Sequence, residues 1–234
     1  MRRQSNGERV RFNTEELCRS FGEYVADFDS SPPFGGPSLY FHQRTISLRR
    51  ELGSVSRAIA DQRFREYLYA TLAAWGLVRM GGVKMVDFSA FSESLAEVAP
   101  SLGGLAETSL DELEGSELSG VAERLCEAVG RLRITEAQAK LVANTKTIHH
   151  LLPDLVPPMD RHHIGWFFGY TPSQLQVHRE PFLDMFSRLH EIARRVHPQG
   201  YVFLDKEAGW RTSRTKILDN AIVAFSLKNQ PKPR

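Results

Sequence analysis

The chain has 234 residues, of which 41% are hydrophobic and 25% are charged. This length and composition are sufficient for a substantial buried core, so we expect a folded globular protein. The net charge is only +2, but it is unevenly distributed. Acidic residues concentrate in the stretch 94–130, whereas most of the histidines and many of the arginines follow residue 131. A basic second half is compatible with a polyanionic partner.

The sequence shows no sign of a membrane span or of a disulfide framework. No stretch approaches the roughly 18–20 apolar residues of a spanning helix, and the basic first residues precede no apolar segment. We therefore expect a cytoplasmic protein without membrane association. Cys18 and Cys126 are far apart and have no C-x-x-C partner. We interpret both as ordinary small apolar residues.

Apolar residues at helical spacing predict helices throughout the first half. The stretch "NTEELCRSFGEYVADF" is expected to begin with Asn13 or Thr14 as its cap. Prolines and glycines in "SPPFGGPS" predict a turn, and the following "LYFHQRTISLRREL" is ambiguous. The segment "SVSRAIADQRFREYLYATLAAWGLVRM" predicts one long helix or two, ending at Gly81 and Gly82. Another helix is expected at "DFSAFSESLAEVAPSL", capped by Asp87 or Ser89.

The Gly-, Ser- and acid-rich segment "GGLAETSLDELEGSELSG" predicts an exposed connection. Helical patterns resume after it, and "GYVFL" is one of the few strand-like stretches. We therefore predict an all-α protein of two helical lobes that enclose a cleft. The predicted divisions are an N-terminal helical lobe at 1–105, a connection at 106–120, and a second helical lobe with the candidate site at 121–234.

The stretch "LVANTKTIHHLLPDLVPPMDRHH" holds the most informative pattern of the second lobe. Asn144 and Thr145 are mediocre helix formers, and Asn tolerates the left-handed conformation, which favours a break at Asn144. A new helix would then begin near Thr145, with Lys146 in its first turn. A helix N-terminus binds anions, because its N–H groups are unpaired and its dipole end is positive.

Prolines end this predicted helix and return the chain to the same region. The segment "LLPDLVPP" cannot continue a helix, and Asp160 follows it in a position to cap the next one, "RHHIGWFFG". The simplest interpretation is that Asp160 is only a cap and Lys146 only a solvated lysine. The alternative is that the two side chains form one site.

The pattern resembles the helix-hairpin-helix DNA glycosylase superfamily. The resemblance rests on "ANTKT" and "PPMDRHH", where a T-K step between two helices precedes a proline-rich loop and a P-x-D motif. It implies that Lys146 corresponds to the Schiff-base lysine of that family and Asp160 to its essential aspartate. Asn144 stands where the family prefers a glycine. The separation of Lys146 from Asp160 is shorter than in the family, and the usual L-P-G-V-G hairpin is absent.

The resemblance implies excision of a damaged or modified base from DNA after the base is flipped out of the duplex. Asp160 would stabilise the positive charge that develops on the sugar or activate a water molecule. Lys146 would attack the sugar itself, giving a glycosylase with lyase activity, or contact a phosphate. The sequence does not name the base, nor does it decide between repair and defence.

Further residues are predicted to contact DNA or the flipped base. The expected DNA contacts are Asn144, Thr145, Arg161, His162, Arg214 and Lys216. The aromatic residues proposed for the base pocket are Trp75, Tyr40, Phe41 and Trp166. We expect DNA as the partner and a monomeric chain.

The sequence predicts no metal and no cofactor. His149, His150, His162 and His163 form two adjacent pairs, but no ligand motif such as H-E-x-x-H fixes three of the histidines on one face. The glycines of "FGGPS" fit neither a P-loop nor a dinucleotide fingerprint.

Two other classes of function remain open from the sequence. A non-catalytic helical DNA-binding protein would bind DNA without releasing a base. A protein-interaction or toxin-type module would do neither. The position of Lys146 relative to Asp160 in the folded chain separates these hypotheses most simply.

Overall fold

The computed structural model describes residues 6–77, 84–202 and 209–231. Within these ranges the chain is all-α, as predicted, with no strand and a single isolated antiparallel bridge between Met85 and Thr135. The α-helices are α1 Asn6–Arg19, α2 Phe21–Ser30, α3 Pro37–Leu52, α4 Val55–Ala60, α5 Gln62–Leu72, α6 Phe88–Leu102, α7 Gly115–Arg131, α8 Leu141–Leu151, α9 Ile164–Phe167, α10 Arg179–Val196 and α11 Arg214–Asn229.

Short helical turns of other types lie between these helices. A π-helical turn, Ala73–Leu77, follows α5, and the 3-10 helices are Gly103–Leu105, Gln174–Gln176 and Pro198–Tyr201. The last of these contains part of the strand-like "GYVFL", whose Phe203 and Leu204 lie outside the described residues, as do Gly81 and Gly82. None of the described helices combines the length and apolarity that crossing a lipid bilayer requires.

The N-terminal capping prediction is wrong. Helix α1 begins at Asn6, so Asn13 lies inside it, and its buried side chain donates to Phe167 O at 2.9 Å. The ambiguous segment after the proline turn forms α3, which begins at Pro37, a residue suited to the first helical position.

Of the two alternatives predicted for the next segment, one long helix or two, the structure has two, because Asp61 starts a new helix. Its side chain accepts a hydrogen bond from Phe64 N at 2.9 Å, and Ser54 caps α4 in the same way through Arg57 N at 3.2 Å. Asp87 caps α6 as predicted, accepting from the backbone N–H groups of Ser89 and Ala90. Each such cap contributes about 1 kcal/mol.

The acidic connection is less exposed than its composition predicted. Leu105, Leu110 and Leu113 are buried in the core, and α7 already begins at Gly115. These leucines alternate with acidic residues in the sequence, and their side chains pack the segment against the core. Buried side chains from both halves of the chain belong to one hydrophobic cluster, and the division into two lobes stays a prediction.

The predicted break at Asn144 is wrong, because α8 runs without interruption from Leu141 to Leu151. The Asn144 side chain is buried and donates to Val129 O and Leu132 O, at 2.7 and 2.9 Å, at the end of α7. These tertiary hydrogen bonds satisfy the amide inside the helix and outweigh its weak helix propensity.

Helix α11 lies in the centre of the protein. From Thr215 to Ser226 each of its residues is buried, as expected for a helix surrounded by others. Ser213 caps its start, accepting from Lys216 N at 3.2 Å. Because α11 is enclosed, its polar residues Lys216, Asp219 and Asn220 need partners inside the protein.

Candidate functional site

A pocket of about 300 Å³ opens beside α11. Three aromatic side chains line it: Phe34, Trp75 and Trp210. Four charged side chains, two lysines and two aspartates, line the same pocket: Lys146, Asp160, Lys216 and Asp219. We call this cavity the tryptophan pocket. A concave, largely apolar cavity with a few converging polar groups is the usual form of a ligand site, which makes this pocket the leading candidate for a functional site.

Trp75 reaches the pocket from the π-helical turn that follows α5. The turn departs from helical geometry at Trp75 and at Gly76, whose φ of 83° lies in the left-handed region that glycine tolerates. The Trp75 indole N–H donates to Ser38 O at 3.3 Å. This local distortion supports a functional role for Trp75, since π-helical turns often occur at functional sites.

Trp210 forms a second aromatic wall, immediately before α11. It is buried, and its indole N–H donates to Phe34 O at 3.2 Å. The ring centroids of Trp75 and Trp210 are 6.2 Å apart, and that of Phe34 lies 6.1 Å from Trp210. The hydrogen bonds hold both indoles in fixed orientations, so the walls are formed before any ligand enters.

Lys146 and Asp160 both line the tryptophan pocket, although fourteen positions separate them in the sequence. Thr145, one residue before Lys146 in α8, accepts a hydrogen bond from Met159 N at 3.2 Å. That bond fastens the end of the proline-rich loop to α8. The bond thereby brings Asp160, which follows Met159, close to Lys146, which follows Thr145.

The Asp160 carboxylate has the capping role that the sequence suggested. Its Oδ1 accepts hydrogen bonds from His162 N and His163 N, both at 2.7 Å. Asp160 is only partly buried, and it faces the pocket. The cap orients the side chain by one oxygen, which leaves the carboxylate charge directed at the cavity.

The Lys146 amine is held on the aromatic wall. Its Nζ donates to Trp75 O at 3.2 Å and lies 5.7 Å from the centroid of the Trp75 ring. A cation above an indole face is attracted by the ring quadrupole. This position keeps a positive charge in the same pocket as the negative charges of Asp160 and Asp219.

Lys216 and Asp219 form a buried ion pair inside the pocket. Lys216 is 2% exposed, and its Nζ lies 2.5 Å from Asp219 Oδ2 and 2.7 Å from Asn220 Oδ1. The same Nζ lies 4.9 Å from the centroid of Trp210. The pKa of Asp219 lies above its ordinary value because burial raises it. The Lys216 ammonium opposes this rise, and the nearby Asp160 carboxylate adds to it. Asp219 is therefore tied to Lys216, and Asp160 is the carboxylate better placed to meet a ligand's positive charge.

Two histidines complete the polar rim. His162 and His163 line the pocket directly after Asp160. The Nδ1 of His163 lies 2.5 Å from Ser226 Oγ on α11, a contact that fixes its ring against the central helix. His162 is exposed, in keeping with a residue at the mouth.

Three buried histidines lie directly behind the tryptophans. His42 of α3 and His149 and His150 of α8 each offer a nitrogen, and these nitrogens lie within 4.8 Å of one another. We call them the histidine triad. Burial lowers the pKa of each below the ordinary histidine value, to about 4 for His150. Their rings are consequently neutral imidazoles at neutral pH.

The other residues predicted to contact DNA do not line the pocket. Asn144 and Thr145 are in the interior, where they bond to the backbone of neighbouring segments. Arg214 contacts Asp111 and Glu112, at 3.1 and 2.7 Å. Arg161 is exposed beside the pocket residues Asp160 and His162.

Of the four aromatics chosen from the sequence, only Trp75 lines the pocket. Tyr40 is exposed and packs edge-on against Phe41. Trp166 packs near Phe225, with the Arg9 guanidinium 5.8 Å from its ring. Side chains at consecutive positions of a short helix point in different directions, so proximity to Asp160 in sequence did not bring Trp166 to the site.

The sequence reasoning missed Trp210, Asp219 and His42 as site residues. Lys216 was expected as a surface phosphate contact, but it lies inside with its ammonium on Asp219. The signal available in the sequence was a lysine and an aspartate three residues apart, just before the apolar run "AIVAF" of the same helix. Such a pair indicates burial of both charges together, because a lone charge in that position is too costly.

Comparisons with protein-family models, with curated proteins and with solved structures gave no match.

Proposed function

We propose that the protein is a DNA N-glycosylase that receives an extruded base in the tryptophan pocket and cleaves its N-glycosidic bond with the help of Asp160. One observation carries the proposal. Lys146 and Asp160, singled out by their spacing in the sequence, line one cavity together with two tryptophans. No part of the proposal depends on a hairpin turn at Asn144, which α8 does not contain.

The size and walls of the pocket suit a single planar ring system. Its volume of about 300 Å³ is at the lower end of the range for small-molecule sites. Indole faces stack on any nucleobase, and each such contact stabilises binding by about 1–3 kcal/mol. Extrusion of a base costs a few kcal/mol, which stacking of this strength offsets.

The charges suit cleavage at the sugar carbon that carries the base. As the bond to the base breaks, positive charge develops on the sugar, and a fixed carboxylate stabilises that charge. Asp160 fits this role because its cap holds it rigid while its charge faces the cavity. Asp219 fits it less well, since its negative charge is already balanced by Lys216.

Two roles are open to Lys146 in this reaction. As a nucleophile it would attack the sugar and form a Schiff base, giving a lyase. As a cation it would contact a phosphate beside the extruded nucleotide while water attacks the sugar. Its hydrogen bond to Trp75 O and its place on the indole favour the second role.

The test is release of a free base from DNA. Duplex and single-stranded oligonucleotides carrying uracil, alkylated purines, oxidised guanine or hypermodified pyrimidines are incubated with the purified chain, and mass spectrometry detects the free base. We expect release from one member of the panel. DNA binding without release from any member would favour a non-catalytic DNA-binding protein, and absence of both would favour the protein-interaction or toxin-type module.

A further inference from the structure

The histidine triad has a geometry that the glycosylase proposal does not use. His42 Nδ1 lies 3.0 Å from His150 Nε2, and a nitrogen of His149 lies within 4.8 Å of both. Nitrogens bound to a tetrahedral ion at about 2.0–2.1 Å are about 3.3 Å apart. The triad therefore needs only small side-chain rotations to surround one ion.

In each ring, the nitrogen that points away from the other two histidines lies within hydrogen-bonding distance of an oxygen. His150 Nδ1 lies 2.7 Å from Lys146 O, and His149 Nδ1 lies 2.9 Å from Val156 O. Since a carbonyl oxygen only accepts, both Nδ1 atoms carry the proton and both Nε2 atoms carry the lone pair. Because His150 Nε2 carries a lone pair, His42 Nδ1 donates to it at 3.0 Å, and Thr212 Oγ1 donates to His42 Nε2 at 2.7 Å. To bind an ion, His42 must shift to its other tautomer, in which Nδ1 carries the lone pair and Nε2 donates to the Thr212 hydroxyl.

His149 and His150 have the arrangement that metal-binding histidines adopt, and His42 reaches it when its proton moves to Nε2. A histidine ligand almost always donates its other N–H to an oxygen, which fixes the tautomer and aims the lone pair at the ion. In the triad, all three outer nitrogens face an oxygen, and the three inner nitrogens converge.

One inner nitrogen has no partner within the described residues. His149 Nε2 is fully buried and forms no hydrogen bond there, although His149 is otherwise well bonded. A buried acceptor without a partner is costly and rare in proteins. The hydrogen bond between His42 Nδ1 and His150 Nε2 gives both of those atoms a partner, but it leaves His149 Nε2 without one among the described residues.

We propose that His42 Nδ1, His149 Nε2 and His150 Nε2 bind a single transition-metal ion of the zinc class, with a fourth coordination position not filled by the triad. Neutral imidazoles suit zinc, copper, nickel and iron, whereas calcium and magnesium prefer oxygen ligands. The ion links α3 to α8, and it lies behind the wall formed by Trp75 and Trp210.

The surrounding charges set the strength of this site. Lys216 lies close enough to disfavour a positive charge on the triad, and its own charge is balanced by Asp219. The affinity is consequently lower than that of a site with carboxylate or thiolate ligands. The proposal does not rest on the glycosylase function, because a metal at this position is detected without any DNA or substrate.

Titration of the metal-free chain with Co²⁺ or Zn²⁺ tests the proposal. The ring of His42 lies 5.1 Å from that of Trp75 and 5.4 Å from that of Trp210, centroid to centroid, so bound Co²⁺ quenches the fluorescence of both indoles. We expect saturable quenching by Co²⁺, competed by Zn²⁺, with one ion per chain by elemental analysis. Failure of the wild-type chain to bind either ion stoichiometrically overturns the proposal.

A matched pair of variants locates the ion. His149→Asn places an amide N–H near the position of Nδ1, which retains the bond to Val156 O, and it removes Nε2. His190→Gln is the control, because His190 is also buried but bonds through Nε2 to Leu113 O, away from the triad. We expect affinity to fall about 100-fold or more in His149→Asn and to stay unchanged in His190→Gln. Equal affinity of wild type and a folded His149→Asn overturns the assignment.

X-ray absorption of the zinc-loaded wild type decides the case if His149→Asn does not fold. The proposal requires three imidazole nitrogens at about 2.0–2.1 Å. A spectrum that contains sulfur ligands, or fewer than three imidazoles, places the ion elsewhere and overturns the proposal.

Discussion

Lys216 Nζ lies 2.5 Å from Asp219 Oδ2, and both side chains are almost completely buried in the central helix α11. The pair lines the tryptophan pocket beside Trp210, with Asn220 as a further partner of the lysine. Two opposite charges in the interior tolerate one another, but each alone is an uncompensated buried charge.

Removing one member of this pair is therefore expected to cost more than removing both. Lys216→Met and Asp219→Leu should each lower the free energy of unfolding by about 3–5 kcal/mol. The double variant should lose far less than the sum, because neither charge remains unpaired. Urea unfolding of the four proteins measures the coupling. Additive losses would show that the two charges do not interact.

The pairing of Arg214 with acidic residues leads to a prediction about DNA contacts. Arg161 is exposed beside Asp160, whereas the Arg214 guanidinium already contacts Asp111 and Glu112. Arg161→Ala should weaken DNA binding and reduce the slope of log K against log salt by about 1. Arg214→Ala is the control and should leave that slope nearly unchanged. Fluorescence anisotropy between about 50 and 200 mM salt checks both. The reverse order of effects would place the DNA on a different face.

The indole of Trp75 is expected to stack on the extruded base. Trp75→Ala should lose about 1–3 kcal/mol of affinity for DNA carrying the target base, whereas Trp75→Phe should lose less. Affinity for the same DNA with an abasic analogue should not change, because no base is then present to stack. Trp166→Ala serves as the control outside the pocket. An equal loss on both DNAs would mean that Trp75 acts only through the fold.

Chemical trapping distinguishes the two roles open to Lys146, nucleophile and phosphate contact. Borohydride reduction during the reaction links a Schiff-base lysine covalently to DNA. We expect no adduct, since the Lys146 Nζ is engaged with Trp75 O and Asp160 supports attack by water without a covalent step. Denaturing gel electrophoresis detects the adduct. Trapping that occurs in the wild type and disappears in Lys146→Gln would make Lys146 the nucleophile.

The local parts of the candidate site were predictable from the sequence, and the distant parts were not. Lys146 and Asp160 lie on either side of one proline-rich loop, so a short-range pattern suggested that they meet. His42 reaches Thr212 across 170 positions, and Trp210 reaches Phe34 across 176. Nothing in the periodicity of either segment encodes these contacts, which join the residues just before α11 to α3 and to the turn that precedes α3.

The prediction of helix boundaries likewise succeeded where the signal was local and failed where it depended on distant residues. Asp87 and Asp160 were recognised as caps because the cap chemistry is local. Asn144 was misread as a break because its partners, Val129 O and Leu132 O, belong to another helix and the residue after it. The leucines of the acidic connection were misjudged for the same reason, since average polarity does not reveal which side of a segment faces the core.

Single-turnover base release by Asp160→Asn tests the central claim most directly. Asn is as good a cap as Asp, so the variant retains acceptance from His162 N and His163 N and removes only the charge. On the substrate identified by the panel, the rate of base release should fall by orders of magnitude, while the thermal midpoint and DNA affinity stay near wild type. Asp160→Ala, which also loses the cap, should in addition lose about 1 kcal/mol of stability. Release by Asp160→Asn at the wild-type rate would contradict the assignment of this pocket as a glycosylase active site.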